Sequence, residues 1–327
     1  MTERMPRPGH EGGPSRQVDP LAAAPPKAPE PAATGQARVG LVRALLVTAR
    51  PRQWTKNVLV FGAPATGGVL LEPEPFARAL AAFLAFCLVA SGVYYVNDIV
   101  DRQADRAHPR KRLRPVAAGR LPLPLAVAVA TLLIAGGMAV AAGRGGLELA
   151  AVTGIYAAVA LAYTFVLRGI VLVDLAAVAA GFVLRAVAGG VAVDIPLSSW
   201  FLLVACFGAL FIATGKRLAE HSYLGQTRGD HRKTLDEYTE PFLRYVMSST
   251  STVTIAAYCL WAFEGEAGRS VPAALSILPF VLGIYRYAML LEAGGGGAPE
   301  EVVLRDRPLQ ICGLFWVLLV GIGVYLR

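Results

Sequence analysis

Hydrophobic positions along this chain gather into long runs separated by short polar connections. Nine such runs, at about 57–71, 76–97, 122–142, 147–167, 170–193, 197–215, 242–263, 271–291 and 308–326, each approach the roughly 20 residues that a membrane-crossing helix needs. The first is the weakest, because Gly62, Pro64, Gly67 and Gly68 interrupt it; an earlier start near Val39, with a break or kink at Pro51, is the alternative. The pattern predicts an all-α polytopic membrane protein with nine transmembrane helices.

The polar connections alternate in charge. Arg38, Arg43, Arg50, Arg52 and Lys56 precede the first run. Arg102, Arg106, Arg110, Lys111, Arg112, Arg114 and Arg120 fill the second connection, Arg168 marks the fourth, and Lys216, Arg217, Arg228, Arg232 and Lys233 occupy the sixth. Arg305 and Arg307 precede the last run, whereas the odd-numbered connections carry little positive charge. By the positive-inside rule the N-terminus and every basic loop face the cytoplasm, the C-terminus faces outward, and the protein is placed in the plasma membrane.

Composition agrees: 55% of residues are hydrophobic and 17% charged, with a mean hydropathy of +0.52. The net charge of +8 is accounted for by topology and anionic lipid head groups, so nucleic acid is not an expected partner. Residues 1–36, rich in Pro, Gly and Ala without a hydrophobic pattern, read as a disordered cytoplasmic tail with no secretory h-region. Residues 37–327 form the membrane domain. Cys87, Cys206, Cys259 and Cys312 lie singly in the apolar runs, with neither a disulfide framework nor a zinc spacing.

The most informative polar segment closes the second run. Tyr94, Asn97, Asp98, Asp101 and Asp105 are followed at once by His108-Pro109-Arg110-Lys111-Arg112-Leu113-Arg114. On a helix Asp98, Asp101 and Asp105 fall at i, i+3 and i+7, on one face, with Tyr94 one turn before Asn97. Clustered hard oxygens suit Mg²⁺, which binds through one or two carboxylates plus substrate phosphates. The adjacent cations would hold the remaining phosphate charge. The pattern points to a Mg²⁺-diphosphate site at the membrane surface.

Two other connections carry comparable chemistry. Lys216 and Arg217 close the sixth run, with Glu220 placed for an ordinary i, i+4 ion pair to Lys216. In Arg50-Pro51-Arg52-Gln53-Trp54-Thr55-Lys56-Asn57, Trp54 reads as an interfacial anchor and Lys56 as a phosphate ligand at the bundle mouth. Asp174 and Arg185 sit inside the fifth run, on one helical face but roughly 16 Å apart, so each needs another partner. For Arg185 that partner is an anionic ligand group or a carboxylate on a neighbouring helix. His10, His108, His221 and His231 lack ligand spacing, and no nucleophile–base arrangement or P-loop is present.

Together these motifs resemble the UbiA prenyltransferase superfamily, nine-helix membrane enzymes whose first aspartate motif is N-D-x-x-D-x-x-x-D; Asn97, Asp98, Asp101 and Asp105 match every fixed position. The resemblance covers roughly residues 40–327. Most members carry a second D-x-x-x-D, where this chain reads Gly215-Lys216-Arg217-Leu218-Ala219-Glu220. That exchange, with R-P-R-Q-W-T-K-N and L-R-D-R-P-L-Q, is similar to the decaprenyl-phosphate phosphoribosyltransferase branch. The branch moves 5-phosphoribose from 5-phosphoribosyl pyrophosphate (PRPP) to a polyprenyl phosphate, for arabinan precursors of the cell wall. On this reading Asn97 and Asp101 are expected to ligate Mg²⁺ on the PRPP diphosphate, assisted by Asp98 or Asp105 directly or through the ligands, with the nearby carboxylates Asp98, Asp101 and Asp105 stabilising charge on the ribose. Lys56, Lys111, Arg112 and Arg168 are expected on the PRPP phosphates, and Arg185, Lys216 and Arg217 on the acceptor or 5-phosphate. Two rivals stand beside it: a prenyltransferase using a prenyl diphosphate, and a transporter or flippase. Against transport, the polar motifs crowd one membrane face and no inverted repeat is apparent. A homo-oligomer is compatible with the sequence.

Overall fold

The computed structural model describes residues 34–224, 237–264, 270–292 and 299–326. All but the end of the proline-rich tail lies outside these residues, as do Arg228, Arg232 and Lys233. Every element among the described residues is helical. In order they are α1 (Thr34–Ala49), a 3₁₀ helix (Pro51–Phe61), α2 (Gly62–Thr66), α3 (Pro73–Val100), α4 (Arg102–Ala107) and α5 (Leu123–Phe165). Then come α6 (Val173–Ala192), α7 (Ser199–Leu224), α8 (Glu240–Glu264), α9 (Val271–Leu275), α10 (Ile277–Glu292), α11 (Pro299–Arg305) and α12 (Arg307–Tyr325).

Seven stretches among the described residues are long and apolar enough to cross a membrane. One of them, α5, covers two of the predicted runs. It departs from helical geometry at Gly146, with φ 69° and ψ −167°, a conformation open to glycine at little cost. The chain reverses there. Met138 Cε lies 3.5 Å from where a Cβ on Gly154 would stand, a pair that a straight helix would hold about 24 Å apart. The limbs 123–145 and 147–165 thus form a hairpin, and α3 packs beside it.

The weakest predicted run does not form a spanning helix. Helix α1 ends at Ala49, Arg50 adopts a left-handed φ of 53°, and Pro51 starts a 3₁₀ helix followed by the short α2. The break predicted at Pro51 is therefore present, and the 57–71 stretch is irregular because proline and glycine punctuate it. Trp54, expected as a lipid anchor, instead donates its indole N–H to Ser91 Oγ at 3.0 Å. The 3₁₀ backbone lies directly on α6: a Cβ on Gly189 would stand 1.9 Å from the Val60 carbonyl oxygen.

Two apolar clusters hold the bundle. Val60, Phe86, Val89, Leu149, Tyr156 and Ala188 join the 3₁₀ helix, α3, α5 and α6. Leu175, Phe211, Leu218, Leu243, Tyr287 and Leu291 join α6, α7, α8 and α10. Outward-facing Leu278, Leu282, Leu314, Phe315 and Leu318 remain exposed, as a surface solvated by lipid requires. This is a multi-pass membrane protein.

Gly189→Ala should force α6 and the 3₁₀ helix apart. The expected loss is about 1–3 kcal/mol of stability, read as a lower Tm in detergent. Gly136→Ala, with nothing within 4 Å of the added Cβ, should leave Tm unchanged or raise it. Equal effects of the two substitutions would contradict the close approach.

Candidate active site

The last turn of α3 passes almost without interruption into α4. Asp101 N–H bonds to Asn97 O at 2.9 Å, and Asp105 N–H bonds to Asp101 O at 2.8 Å. At 100° per residue, Asp105 comes within about 20° of Asp98, while Asp101 lies about 60° away. The structure uses that difference. Rather than sharing one face, the three carboxylates separate into two environments.

Asp98 and Asp105 point inward and are each 2% exposed. Arg114 Nη1 bridges them, at 3.3 Å from Asp98 Oδ1 and 2.7 Å from Asp105 Oδ2. Arg50 Nη2 reaches Asp98 Oδ1 at 2.5 Å, and its guanidinium carbon stands 5.0 Å from the ring centroid of Tyr94. Two buried carboxylates demand such pairing, because an uncompensated charge in this setting costs several kcal/mol. Arg50 and Arg114 precede Pro51 and Pro115, so the guanidiniums that hold the motif are anchored at rigid turns.

Asn97 and Asp101 face the other way, toward the end of α5. Thr164 Oγ1 donates to Asn97 Oδ1, and one turn later Arg168 Nη1 lies 2.8 and 3.0 Å from the two Asp101 oxygens. The Asp101 side chain is 24% exposed, so this ladder is open to ligand. Its donor set fits Mg²⁺: hard oxygens one turn apart, with room for phosphate oxygens and water in the remaining octahedral positions. No three His, Cys, Asp or Glu side chains converge among the described residues, so the protein would supply only part of that shell.

A second polar cluster joins α5, α6 and α7. Arg217, 3% exposed, donates through Nε to Asp174 Oδ2 at 2.9 Å, through Nη1 to Glu220 at 2.6 Å and through Nη2 to the Tyr163 hydroxyl at 3.0 Å. Tyr238 OH donates to Asp174 Oδ1 at 2.5 Å and accepts from Leu172 N–H at 2.7 Å. Burial, followed by the bond to Asp174, holds the Tyr238 phenol above its usual pKa. The partner that Asp174 needed is therefore Arg217, which in this structure is committed to an internal ion pair. Lys216 is more exposed and lies 3.9 Å from Glu220, the ordinary i, i+4 pairing.

Arg185 meets no carboxylate among the described residues. Its Nε donates to Asn57 Oδ1 at 2.7 Å, Nη1 to Gly181 O at 2.5 Å and Nη2 to Tyr156 OH at 2.9 Å. The guanidinium carbon also stands 4.6 Å from the Tyr156 ring centroid. Neutral oxygens and aromatic faces thus stabilise this buried cation, and it pins the 3₁₀ helix to α6. Lys56, next to Asn57, hydrogen-bonds Gln53 at 2.5 Å. With Thr55 it lies on the rim of a mostly apolar cavity of about 620 Å³ lined by Phe182, Phe211, Ile284 and Trp316. Lys111 and Arg112 stand exposed on the 3₁₀ turn Lys111–Leu113.

The sequence marks no individual role for Arg50, Thr164, Tyr156 or Tyr163, and places Arg114 only among the cations expected on phosphate, whereas it pairs with Asp98 and Asp105. Only the proline after Arg50 and after Arg114 hinted at fixed geometry. The polar groups nevertheless gather at one end of the bundle. The exposed Arg78–Asp194 pair lies about 30 Å from Asp98 along α3.

Among the described residues the protein is an all-helical membrane bundle with acidic and basic side chains collected at one end, beside an apolar cavity. Residues 60–305 match the UbiA prenyltransferase family, and the chain belongs to that family. It is 42% identical over 298 residues to the decaprenyl-phosphate phosphoribosyltransferase of Mycolicibacterium smegmatis, covering 87% of this chain and 93% of that protein. It is 43% identical over 295 residues to the proteins of the same name from Corynebacterium glutamicum and Mycobacterium tuberculosis, covering 88% of this chain and 87% and 97% of theirs. Its fold is similar to a UbiA homolog from Archaeoglobus fulgidus bound to GPP and Mg²⁺, with a TM-score of 0.65 at 16% identity, over 86% of this chain and 98% of that one. Together these similarities identify a transferase of the UbiA family.

Arg114→Ala should leave Asp105 buried without the cation that bridges it to Asp98. The expected cost is about 1–3 kcal/mol, discounted because Arg114 is partly exposed and Arg50 still serves Asp98. Adding Asp105→Asn should restore part of the lost Tm. A double variant less stable than Arg114→Ala alone would exclude this pairing as the source of the loss.

Proposed function

We propose that this chain transfers 5-phosphoribose from PRPP to a polyprenyl phosphate of the decaprenyl type, releasing pyrophosphate and supplying cell-wall arabinan precursors. We also propose nine membrane crossings, the first made by the broken 3₁₀–α2 segment in place of a continuous helix, with the reaction at the cytoplasmic face of the plasma membrane. The observation that carries this reading is the 42–43% identity, over 87–88% of the chain, to proteins named decaprenyl-phosphate phosphoribosyltransferase. The cationic Lys216-Arg217 pair, standing where a second acidic motif would serve a prenyl diphosphate, supports it.

In this reading Asn97 Oδ1 and the Asp101 carboxylate hold Mg²⁺, which when bound neutralises charge on the departing pyrophosphate. Arg168 exchanges its Asp101 contact for a PRPP phosphate. The exposed Lys111, Arg112 and Lys216 serve the other donor phosphates, the Lys216–Glu220 pair being weak enough to yield. Lys56 is assigned to the lipid phosphate, because it rims the cavity suited to a polyprenyl chain. Arg185 and Arg217 position helices, since both are buried with their donors engaged.

The acceptor phosphate is already largely ionised near neutrality, with a second pKa of about 6, so it attacks the anomeric carbon without a general base. Carboxylate charge near the ribose stabilises the positive charge that develops as the bond to pyrophosphate lengthens.

Membranes containing the protein should convert labelled PRPP and polyprenyl phosphate into a phosphoribosyl lipid. EDTA should abolish the reaction, and Mg²⁺ should restore it. Asp101→Ala should lower turnover by about 100-fold or more while leaving Tm near the wild-type value. Product from a prenyl diphosphate and none from PRPP would replace this reading with ordinary prenyl transfer.

With the motif's carboxylates committed to metal and cations, none is free to form a ribosyl intermediate, and the acceptor phosphate attacks in a single displacement. PRPP carries its diphosphate on the α face, so the lipid product should be the β-anomer. Proton and phosphorus NMR of the purified lipid would read the linkage, and an α product would exclude the mechanism.

A further inference from the structure

The connection that presents Arg168 is short and strained. Helix α5 ends at Phe165, Arg168 lies in the 3₁₀ turn Leu167–Gly169, and α6 begins at Val173. Just before α6, Leu172 adopts φ 66° and ψ −39°, a region that a residue with a side chain rarely occupies. Leu172 is 53% exposed, so packing of its side chain is a poor explanation for that conformation. Its backbone N–H is held instead. It donates at 2.7 Å to the hydroxyl of Tyr238, which itself donates at 2.5 Å to Asp174 Oδ1. Tyr238 is 2% exposed, its ring stacks on Phe242, and Arg217 fixes Asp174 from the other side. A rigid, doubly bonded hydroxyl therefore clamps the strained residue.

Arg168 lies four residues upstream of that clamp, and the other end of the connection is tied where Val166 N–H bonds to Ala162 O at 2.8 Å. With both ends fixed, the backbone that carries Arg168 keeps its guanidinium within reach of the Asp101 carboxylate, 2.8 Å away. Leu172 O also accepts from Ala176 N–H at 2.9 Å, and Asp174 N–H bonds across it to Ile170 O at 3.0 Å. Without the hydroxyl, however, its own N–H loses its partner, so less offsets the strain and the connection can turn toward negative φ.

We propose that Tyr238 is a positioning residue: by holding Leu172 in a strained conformation it fixes Arg168 over Asp101 and so sets the affinity of the site for the donor's phosphates. The kinetic readout rests on the phosphoribosyl-transfer reading; the clamp itself does not. Tyr238→Phe removes only the hydroxyl, keeping the ring in its apolar cluster and Asp174 paired with Arg217. In purified full-length protein it should raise KM for PRPP about 10-fold, the value of one lost hydrogen bond near a charged group. KM for polyprenyl phosphate should stay within about twofold. Leu172→Gly removes the strain, because glycine adopts positive φ freely. In that background Tyr238→Phe should change KM for PRPP by less than about threefold.

Thermal unfolding in detergent supplies a test that needs no turnover. Tyr238→Phe should lower Tm more in the wild-type background than in Leu172→Gly, and more than in Arg168→Ala. Equal decreases in all three backgrounds would overturn the clamp, and an equal rise in KM for both substrates would overturn the positioning role. If the wild-type protein uses no PRPP, the phosphoribosyl reading falls and the Tm comparison alone decides, with coupling sustaining the clamp and additivity rejecting it.

Discussion

The structure depends on matching buried carboxylates with guanidiniums at the edge of a low-dielectric bundle. Asp98, Asp105 and Asp174 are each 1–2% exposed, and each is met by an arginine from another element. A buried carboxylate without such a partner would neutralise or destabilise the fold. Arginine suits this task because its planar fork can satisfy two oxygens at once and does not lose its proton. Arg114 uses one nitrogen for two carboxylates, and Arg217 distributes three nitrogens over Asp174, Glu220 and Tyr163. These pairs also join distant parts of the chain, so charge compensation and tertiary closure are one event at this end of the bundle.

The same pairing separates support from chemistry. Asp98, Asp105, Asp174, Arg185 and Arg217 are buried and joined to other elements by hydrogen bonds and ion pairs. Residues at the open side, Asn97, Asp101, Arg168 and Lys56, keep contacts that a phosphate or a cation can replace. Lys56 owes its place to its neighbour, since Asn57 is drawn into the Arg185 cage and the 3₁₀ helix turns the next side chain to the cavity rim. A charged residue deep in the membrane therefore shapes the site through the backbone it pins, without reaching a ligand.

The broken segment between α1 and α3 shows why the bundle is not simply a set of straight helices. Pro51, Pro64 and the neighbouring glycines make a continuous helix costly. A 3₁₀ helix against Gly189 recovers packing while presenting Asn57 inward. The reversal at Gly146 follows the same logic: two apolar runs of spanning length meet at a residue that can turn the chain, so they form a hairpin with both limbs against α3 and each other.

The sequence by itself determined the membrane class, the apolar runs, the break at Pro51 and the acidic motif, because those depend on local composition, backbone restriction and helical spacing. It also set the rule that Asp174 and Arg185 could not pair, since rise per residue fixes their separation. Only the tertiary structure decided which cation meets which carboxylate. Arg50 with Asp98, Arg168 with Asp101, and Asp174 with both Arg217 and Tyr238 come together over separations of more than forty residues, and no local periodicity encodes such partners. The division of three regularly spaced aspartates into a buried pair and an accessible one had the same origin. A 60° difference around one helix has no meaning until neighbouring helices make one direction interior and the other a site.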